Sequence, residues 1–243
     1  MVNTTTAPGA RVGPMSLAAR FAGVITSPRS TFEAIAAHPR WLGMLVLVTA
    51  IIAAGAVLPI TSEAGKEATL RSQVEGMESF GMTVSDEAYE GMRRGMGIAP
   101  YTTAAAILVF TPLMTLVLAG ILFAVFSATG GDATFRQVFT VMVHASVISA
   151  LQGLFTGPVN YFRGAVTSAT NLAVFLPMVD DRSFLGRVLA MTDLFLIWYV
   201  LVLAIGLGVL FRRKTTPIAL ALYGLYAVVV VVFAAVMSRM GAA

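Results

Sequence analysis

The sequence predicts an all-α, polytopic helical membrane protein with five transmembrane helices. Two observations carry this prediction. Of the 243 residues, 58% are hydrophobic and only 12% are charged, and the mean hydropathy is +0.85; soluble domains have about twice that charged fraction. A bilayer core about 30 Å thick is crossed by about 20 apolar helical residues, and uncharged runs of that order recur along the chain.

Five apolar runs define the predicted spans, separated by charged segments or segments with Pro and Gly that do not remain in lipid. The third run is the weakest, because it is short and contains most of the polar residues. Without it, a four-span arrangement would place both termini on the same side. The predicted spans are residues 41–60, 102–127, 138–155, 193–211 and 218–237, within a membrane domain of residues 41–243.

The segment ahead of the first span predicts two short amphipathic helices, separated at Pro28. We expect residues 15–40 to lie on the cytoplasmic membrane surface, with their apolar faces toward lipid. Residues 1–14, rich in Thr, Gly and Pro, predict a disordered tail. We expect no cleaved signal peptide, because Arg20 interrupts the first apolar patch. The apolar faces comprise Leu17, Phe21, Val24 and Ile25 in the first helix and Phe32, Ile35 and Ala36 in the second.

The longest connection, residues 61–100, has four basic and seven acidic residues and is expected to be helical. Ser85 can cap a helix that begins with Asp86 and ends near Arg94, so that the charges at both ends complement the helix dipole. We therefore predict a helical extracytoplasmic loop that covers the ends of the spans, with a solvated charged face.

The distribution of basic residues predicts the orientation. A cytoplasmic N-terminus would place eight Lys and Arg residues on each side. The basic residues 212–214 crowd one short loop, where the positive-inside rule is strongest, so we expect that loop and the N-terminus in the cytoplasm and the C-terminus outside, in a bacterial inner membrane. The pI near 9.8 favours anionic lipids over nucleic acid as partners. Candidate head-group contacts are Arg20, Arg29, Arg40, Arg212, Arg213 and Lys214.

The stretch "MVHASVISALQG", residues 142–153, contains the polar residues of the third span. On a helix, His144 and Gln152 share one face, and Ser146, Ser149 and Gly153 form a neighbouring stripe of small residues that lets helices approach closely. His144 and Gln152 predict either an interhelical hydrogen bond or a protonatable gate or lipid head-group site. Asn160 is a further candidate.

Asp193 stands where the fourth predicted span begins. A carboxylate at that position accepts hydrogen bonds from free helix N–H groups and is favoured by the positive end of the helix dipole. We therefore interpret Asp193 as a helix cap. An ion site is the alternative, because ionisable residues at membrane depth often serve transport.

Catalytic and cofactor motifs are missing from the sequence. There is no cysteine, there are two histidines, and no phosphate loop, HExxH helix or Gly-x-Ser-x-Gly elbow is present. We expect no enzyme activity, no metal and no cofactor. Two alternatives remain open: a permease or lipid-handling protein that uses a polar face around His144 and Gln152, and an intramembrane hydrolase with a Ser/His pair.

Four segments together resemble the Yip-domain family of Ypt/Rab-interacting membrane proteins, in its prokaryotic branch. The resemblance implies five spans, a cytoplasmic N-terminus and a non-enzymatic scaffold or adaptor that organises membranes or recruits a protein partner or a second copy. Eukaryotic members bind Rab-type GTPases, and their N-terminal arm has an acidic-Leu-Tyr-Gly-Pro motif that this sequence lacks. The segments are "SPRSTFEAIAAHPRW", the charged helical loop after the first span, "ATGGDATFRQVF" and "DLFLIWYVLVLAIGLG".

Overall fold

A computed structural model describes residues 15–180 and 183–240, so the tail expected at residues 1–14 lies outside the described residues. The described chain is all-helical and contains no strand. A short 3-10 helix, Leu172–Phe175, lies between α8 and α9. The α-helices are α1 Leu17–Thr26, α2 Pro28–Ala37, α3 Leu42–Ile60, α4 Glu63–Ser79, α5 Asp86–Gly95, α6 Ala99–Ala128, α7 Phe135–Ala145, α8 Val147–Arg163, α9 Phe184–Met191, α10 Leu194–Leu210 and α11 Thr215–Met240.

The long helices run between two ends of a bundle. The arm end is formed by α1, α2 and the turns at residues 129–134 and 211–214. The loop end is formed by α4, α5, α9 and residues 164–180. Hydrogen bonds between distant segments join the arm end: Arg136 Nη2 donates to the Pro39 carbonyl at 3.0 Å, and Gln137 Nε2 donates to the Ala36 carbonyl at 3.2 Å.

Four helical segments in the described chain are long and apolar enough to cross a membrane. The segment expected to be weakest, residues 138–155, is one of them. It extends over 29 residues through α7 and α8. Neighbouring helices enclose its polar side chains. At 17 residues, α10 is one of two shorter apolar helices in the described chain, with α1, and is not among the four. The four are Leu42–Ile60, Ala99–Ala128, Phe135–Arg163 and Thr215–Arg239.

The centre of the bundle is α7, which contacts α1, α2, α3, α6, α8 and α10. Every residue from Val138 to Ile148 is buried. A helix that is surrounded on all sides needs no polar face, and here only Thr140, His144 and Ser146 interrupt the apolar sequence. By contrast, α6 and α11 leave most of their apolar residues exposed, as expected of surfaces that meet lipid.

The two helices of the arm, α1 and α2, pack their apolar faces against the bundle itself. Val24 and Phe32 are completely buried and Ile35 is 1% exposed. The ring of Phe32 reaches α10 beside Gly206, where a Cβ on that glycine would lie 3.1 Å from the ring. This differs from the expectation that the arm lies with its apolar faces in lipid. The physical reason is that α7 and α10 provide an apolar groove that covers the same residues.

The loop at residues 61–100 is helical, with α4 and α5 at the loop end. Ser62 caps α4, and Ser85 Oγ accepts a hydrogen bond from the Ala88 N–H at 3.3 Å to cap α5. At the same end, two tyrosines fix α11: Tyr223 donates to the Ile197 carbonyl of α10 and Tyr226 to the Met191 carbonyl of α9, both at 2.6 Å. These bonds attach α11 along its first half.

Candidate functional site

His144 is part of a buried polar contact between α7 and the arm. Its Nε2 lies 3.2 Å from Arg20 Nη1, and its Nδ1 lies 2.8 Å from the Thr140 carbonyl oxygen. Because a guanidinium only donates hydrogen bonds, Nε2 must accept, and the proton is on Nδ1, which donates to Thr140. Both ring nitrogens of His144 are therefore satisfied within the protein.

Arg20 holds this contact in place from α1. Its Nη1 also donates to the Arg40 carbonyl at 2.6 Å, so one guanidinium joins α1, α7 and the segment that leads into α3. Burial, and then the charge of Arg40, lower the pKa of Arg20. An arginine nevertheless remains charged at neutral pH. Arg20, a candidate head-group contact, is thus placed in a contact inside the protein.

The structure separates His144 from Gln152. A single turn residue, Ser146, lies between α7 and α8, and His144 is completely buried on the α7 side. Gln152 is half-buried and lines a different space, a cavity of about 410 Å³ near the loop end. The single polar face expected to join these two side chains is therefore absent, because Arg20 and Thr140 occupy the histidine.

The cavity brings two of the predicted candidates together. Gln152 and Asn160 both line it, with residues of α3, α4, α6 and the segment after α8. Asn160 is 6% exposed, and its Oδ1 is buried without a hydrogen-bond partner among the described residues. The full lining is Ile52, Gly55, Ala56, Pro59, Ile60, Thr69, Thr103, Ser149, Gln152, Gly153, Thr156, Asn160, Val166 and Ser168.

Asp193 caps α10, as its position in the sequence predicts. Its Oδ1 accepts from the Phe195 N–H at 2.8 Å, and its Oδ2 accepts from the hydroxyls of Ser168 at 2.5 Å and Thr170 at 2.8 Å. Three donors from the protein thus bind a buried carboxylate at the loop end. Asn171 pairs with Asp193 through the backbone in an isolated antiparallel bridge. These contacts attach the segment after α8 to the start of α10.

Glycines allow α3 and α8 to approach each other closely. A Cβ on Gly55 would lie 2.5 Å from the carbonyl oxygen of Gly153, and a Cβ on Gly157 would lie 2.8 Å from the carbonyl oxygen of Gly55. Gly153 thus has the packing role expected of it. The other members of the predicted stripe act differently: Ser146 donates to the Met142 carbonyl at 3.0 Å, and Ser149 lines the cavity.

Basic residues from two distant segments converge at the arm end. They surround an open pocket of about 460 Å³. Arg29 comes from α2 and is paired with Glu33 at 3.5 Å, although both side chains are largely exposed. Arg40, another candidate, is exposed but does not line this pocket. The pocket is lined by Arg29, Glu33, Gly208, Val209, Arg212, Arg213 and Lys214.

The turn after α10 positions its three basic residues differently. Arg213 Nη2 donates to the Thr129 carbonyl at 2.5 Å, and its guanidinium lies 5.8 Å from the Phe126 ring centroid, so this side chain joins α10 to the end of α6. Arg212 has φ +53°. The Arg213 N–H bonds to the Gly208 carbonyl and the Arg212 N–H to the Val209 carbonyl, the pattern of a Schellman motif, in which glycine is usual at the left-handed position.

Several contacts in these sites were not predicted from the sequence. Arg20 was assigned to lipid and not to His144, and Ser168 and Thr170 were not connected with Asp193. The sequence also predicts no role for Gly55, which packs against α8. Within the described residues, no group of three or more His, Asp or Glu side chains is arranged to hold a metal ion.

Comparisons with known proteins agree with the fold. The family model described as the Yip1 domain matches residues 22–237. A curated relative, named membrane protein YknW, from Bacillus subtilis strain 168, is 29% identical over 221 residues, which cover 85% of this chain and 86% of the relative. No solved structure matches the chain. The family match covers most of the sequence, and the chain therefore belongs to the Yip1 domain family of membrane proteins.

Proposed function

We propose that this protein is a non-enzymatic membrane scaffold or adaptor whose arm end binds anionic lipid head groups. One observation carries the proposal: Arg29 of the arm and residues 212–214 of the α10–α11 turn, more than 180 positions apart in the sequence, line one open pocket. Arg212 and Lys214 are exposed there. Clustered basic side chains at a membrane surface attract anionic lipids, with about 1 kcal/mol for each Lys or Arg.

The proposed arrangement has five membrane crossings. Besides the four long apolar segments, α10 is the additional crossing; its 17 residues rise about 26 Å along the helix axis, close to the lower limit for a span. Its start at Asp193 is bonded to the loop end, and the turn that follows it is bonded to the arm end through Arg213. The positive-inside rule then favours a cytoplasmic arm end and an extracytoplasmic C-terminus, in a bacterial inner membrane.

The docked arm suggests how such a scaffold works. Because the apolar faces of α1 and α2 are covered by α7 and α10, the arm meets the membrane surface through its charged face. Arg29 and Arg40 are exposed on that side. The bundle thus holds a fixed basic surface beside the lipid head groups, and a protein partner or a second copy would be recruited to the same end of the molecule.

An anionic-lipid retention assay tests the proposal. The purified full-length protein in detergent is mixed with phosphatidylglycerol or phosphatidylcholine, and bound lipid is counted by native mass spectrometry. We expect preferential retention of phosphatidylglycerol. Combined Arg29→Gln, Arg212→Gln and Lys214→Gln substitutions should lower it at least about tenfold, because about 1 kcal/mol is lost for each charge.

The matched control is Arg93→Gln with Arg94→Gln, which removes two exposed charges from α5 at the loop end. It should leave phosphatidylglycerol retention unchanged. Equal retention of both lipids by the wild type, or an equal loss in the control, would contradict the proposal.

The left-handed conformation of Arg212 provides a second test within the same experiment. A non-glycine residue in this conformation costs about 1 kcal/mol, so Arg212→Gly should raise the thermal stability of the protein while it weakens phosphatidylglycerol retention. That combination distinguishes a charge kept for binding from a charge kept for the fold. A loss of stability in Arg212→Gly would show that the side chain is needed for the turn.

A further inference from the structure

The uncharged cavity near the loop end has features of a ligand site. We propose that it binds an uncharged, hydroxyl-rich group, such as the glycerol or sugar moiety of a neutral lipid or the corresponding free polyol. This inference goes beyond the proposed function, because the cavity lies at the opposite end of the bundle from the basic pocket.

Asn160 has a buried amide oxygen that is free to bind a ligand. It lies in the last turn of α8, is 6% exposed, and its Oδ1 has no hydrogen-bond partner among the described residues. A buried amide oxygen without a hydrogen-bond partner costs free energy, and a ligand that donates a hydrogen bond to it would remove that cost. Gln152, two turns earlier, also has no side-chain hydrogen bond to a described residue. Two amides on one cavity thus retain donors and acceptors for a ligand.

The hydroxyl groups of the lining define what kind of ligand fits. Thr69, Thr156 and Ser168 already donate their protons, to the Gly65 carbonyl, the Gln152 carbonyl and Asp193 respectively. These hydroxyl oxygens can still accept hydrogen bonds, so the ligand must supply donors. It must also supply acceptors for the amide N–H groups of Asn160 and Gln152. A polyol offers both in each hydroxyl.

Charge is excluded by the same lining. None of the fourteen residues that line the cavity is Asp, Glu, Lys, Arg or His. A charged ligand would lose its hydration without gaining a counter-charge, which is unfavourable in the membrane. An uncharged group avoids that penalty. This distinguishes the cavity from the basic pocket at the arm end.

The dimensions agree with a group of this kind. The cavity volume of about 410 Å³ lies within the range of about 300–1,000 Å³ for small-molecule pockets. Gln152 and Asn160 are eight residues apart on α8, a rise of about 12 Å, so the cavity extends from the end of the helix toward its middle. The apolar residues on the facing α3, including Ile52 and Ala56, suit the carbon skeleton of a lipid.

Native mass spectrometry of the full-length protein in detergent tests this inference. The probes are dioleoylglycerol and a glucosyl-diacylglycerol, which are neutral hydroxylated lipids. In a parallel measurement, free glycerol and glucose are tested for their effect on the thermal unfolding of the protein. We expect the wild type to retain a hydroxylated neutral lipid, or to be stabilised by a free polyol, and Asn160→Leu with Gln152→Leu to reduce this at least about tenfold.

Two further variants complete the experiment. Ala56→Leu fills the cavity from α3 while both amides stay in the chain and should also abolish retention, whereas Gln73→Leu, on the exposed face of α4, should not change it. Asn160→Leu should unfold at or above the wild-type temperature when no ligand is present, because it removes an unsatisfied buried group.

The lipid and polyol measurements show whether the ligand is a neutral lipid or a free polyol. A response in either measurement supports the site. Three results would overturn the inference. They are no response of the wild type to lipid or polyol, retention that survives both the double variant and Ala56→Leu, and strong destabilisation by Asn160→Leu, which would show that the amide is needed for the fold. None of these readouts depends on phosphatidylglycerol binding at the arm end, so this inference and the proposed function can fail independently.

Discussion

Replacing Gly55 with leucine is expected to disrupt the crossing of α3 and α8. A side chain at this position would meet the backbone of Gly153, with the Cβ only 2.5 Å from its carbonyl oxygen. Overpacking a core usually costs about 1–3 kcal/mol. Here the obstacle is backbone and not a flexible side chain, so we expect a loss of at least about 3 kcal/mol, equivalent to a decrease of about 10 °C in unfolding temperature for a chain of this size.

Gly120→Leu is the matched control for this substitution. Gly120 also lies within a membrane-spanning helix, α6, but no atom lies within 4 Å of the position its Cβ would take. Thermal unfolding monitored by size-exclusion chromatography should show a large decrease for Gly55→Leu and little change for Gly120→Leu. Equal stability of the two variants would mean that α3 and α8 do not pack at this distance.

Phe32→Ala is expected to release the arm from the bundle. Phe32 is completely buried between α7 and α10, and the removal of a buried phenylalanine side chain usually costs about 3–5 kcal/mol. Because α1 and α2 are short, much of this loss should appear as local opening of the arm. The opening equilibrium should therefore increase more than about a hundredfold.

A single introduced cysteine can measure this opening, since the chain has none of its own. Val24→Cys places a thiol on the completely buried face of α1. Its maleimide labelling should be slow in the wild-type background and at least about a hundredfold faster with Phe32→Ala. Phe162→Ala, at an 86% exposed position, is the control and should leave labelling slow. Fast labelling in the wild-type background would contradict a docked arm.

Composition and hydropathy were sufficient to predict the helical membrane class, because they integrate over many residues. Local patterns were also informative where one short segment decides the outcome: Asp193 caps α10 because the Phe195 N–H that it binds lies two positions further along the chain. The resemblance to the Yip-domain family could be recognised for the same reason, because each of the four segments is a local pattern. The family match over residues 22–237 confirms it.

Contacts between distant residues could not be predicted in this way. Arg20 and His144 are 124 positions apart, and neither residue indicates its partner. The amphipathic pattern of the arm correctly marks one face as apolar, but periodicity does not distinguish a face covered by lipid from one covered by α7 and α10.

The central claim is that the bundle is a scaffold and not a pathway across the membrane. It is tested most directly in liposomes that contain the wild type or the His144→Ala/Gln152→Ala variant, assayed for proton flux and lipid scrambling. Since His144 is held by Arg20 and Thr140 and is separated from Gln152, both proteins should give rates equal to those of protein-free liposomes. Flux or scrambling by the wild type that disappears in the double variant would contradict the account.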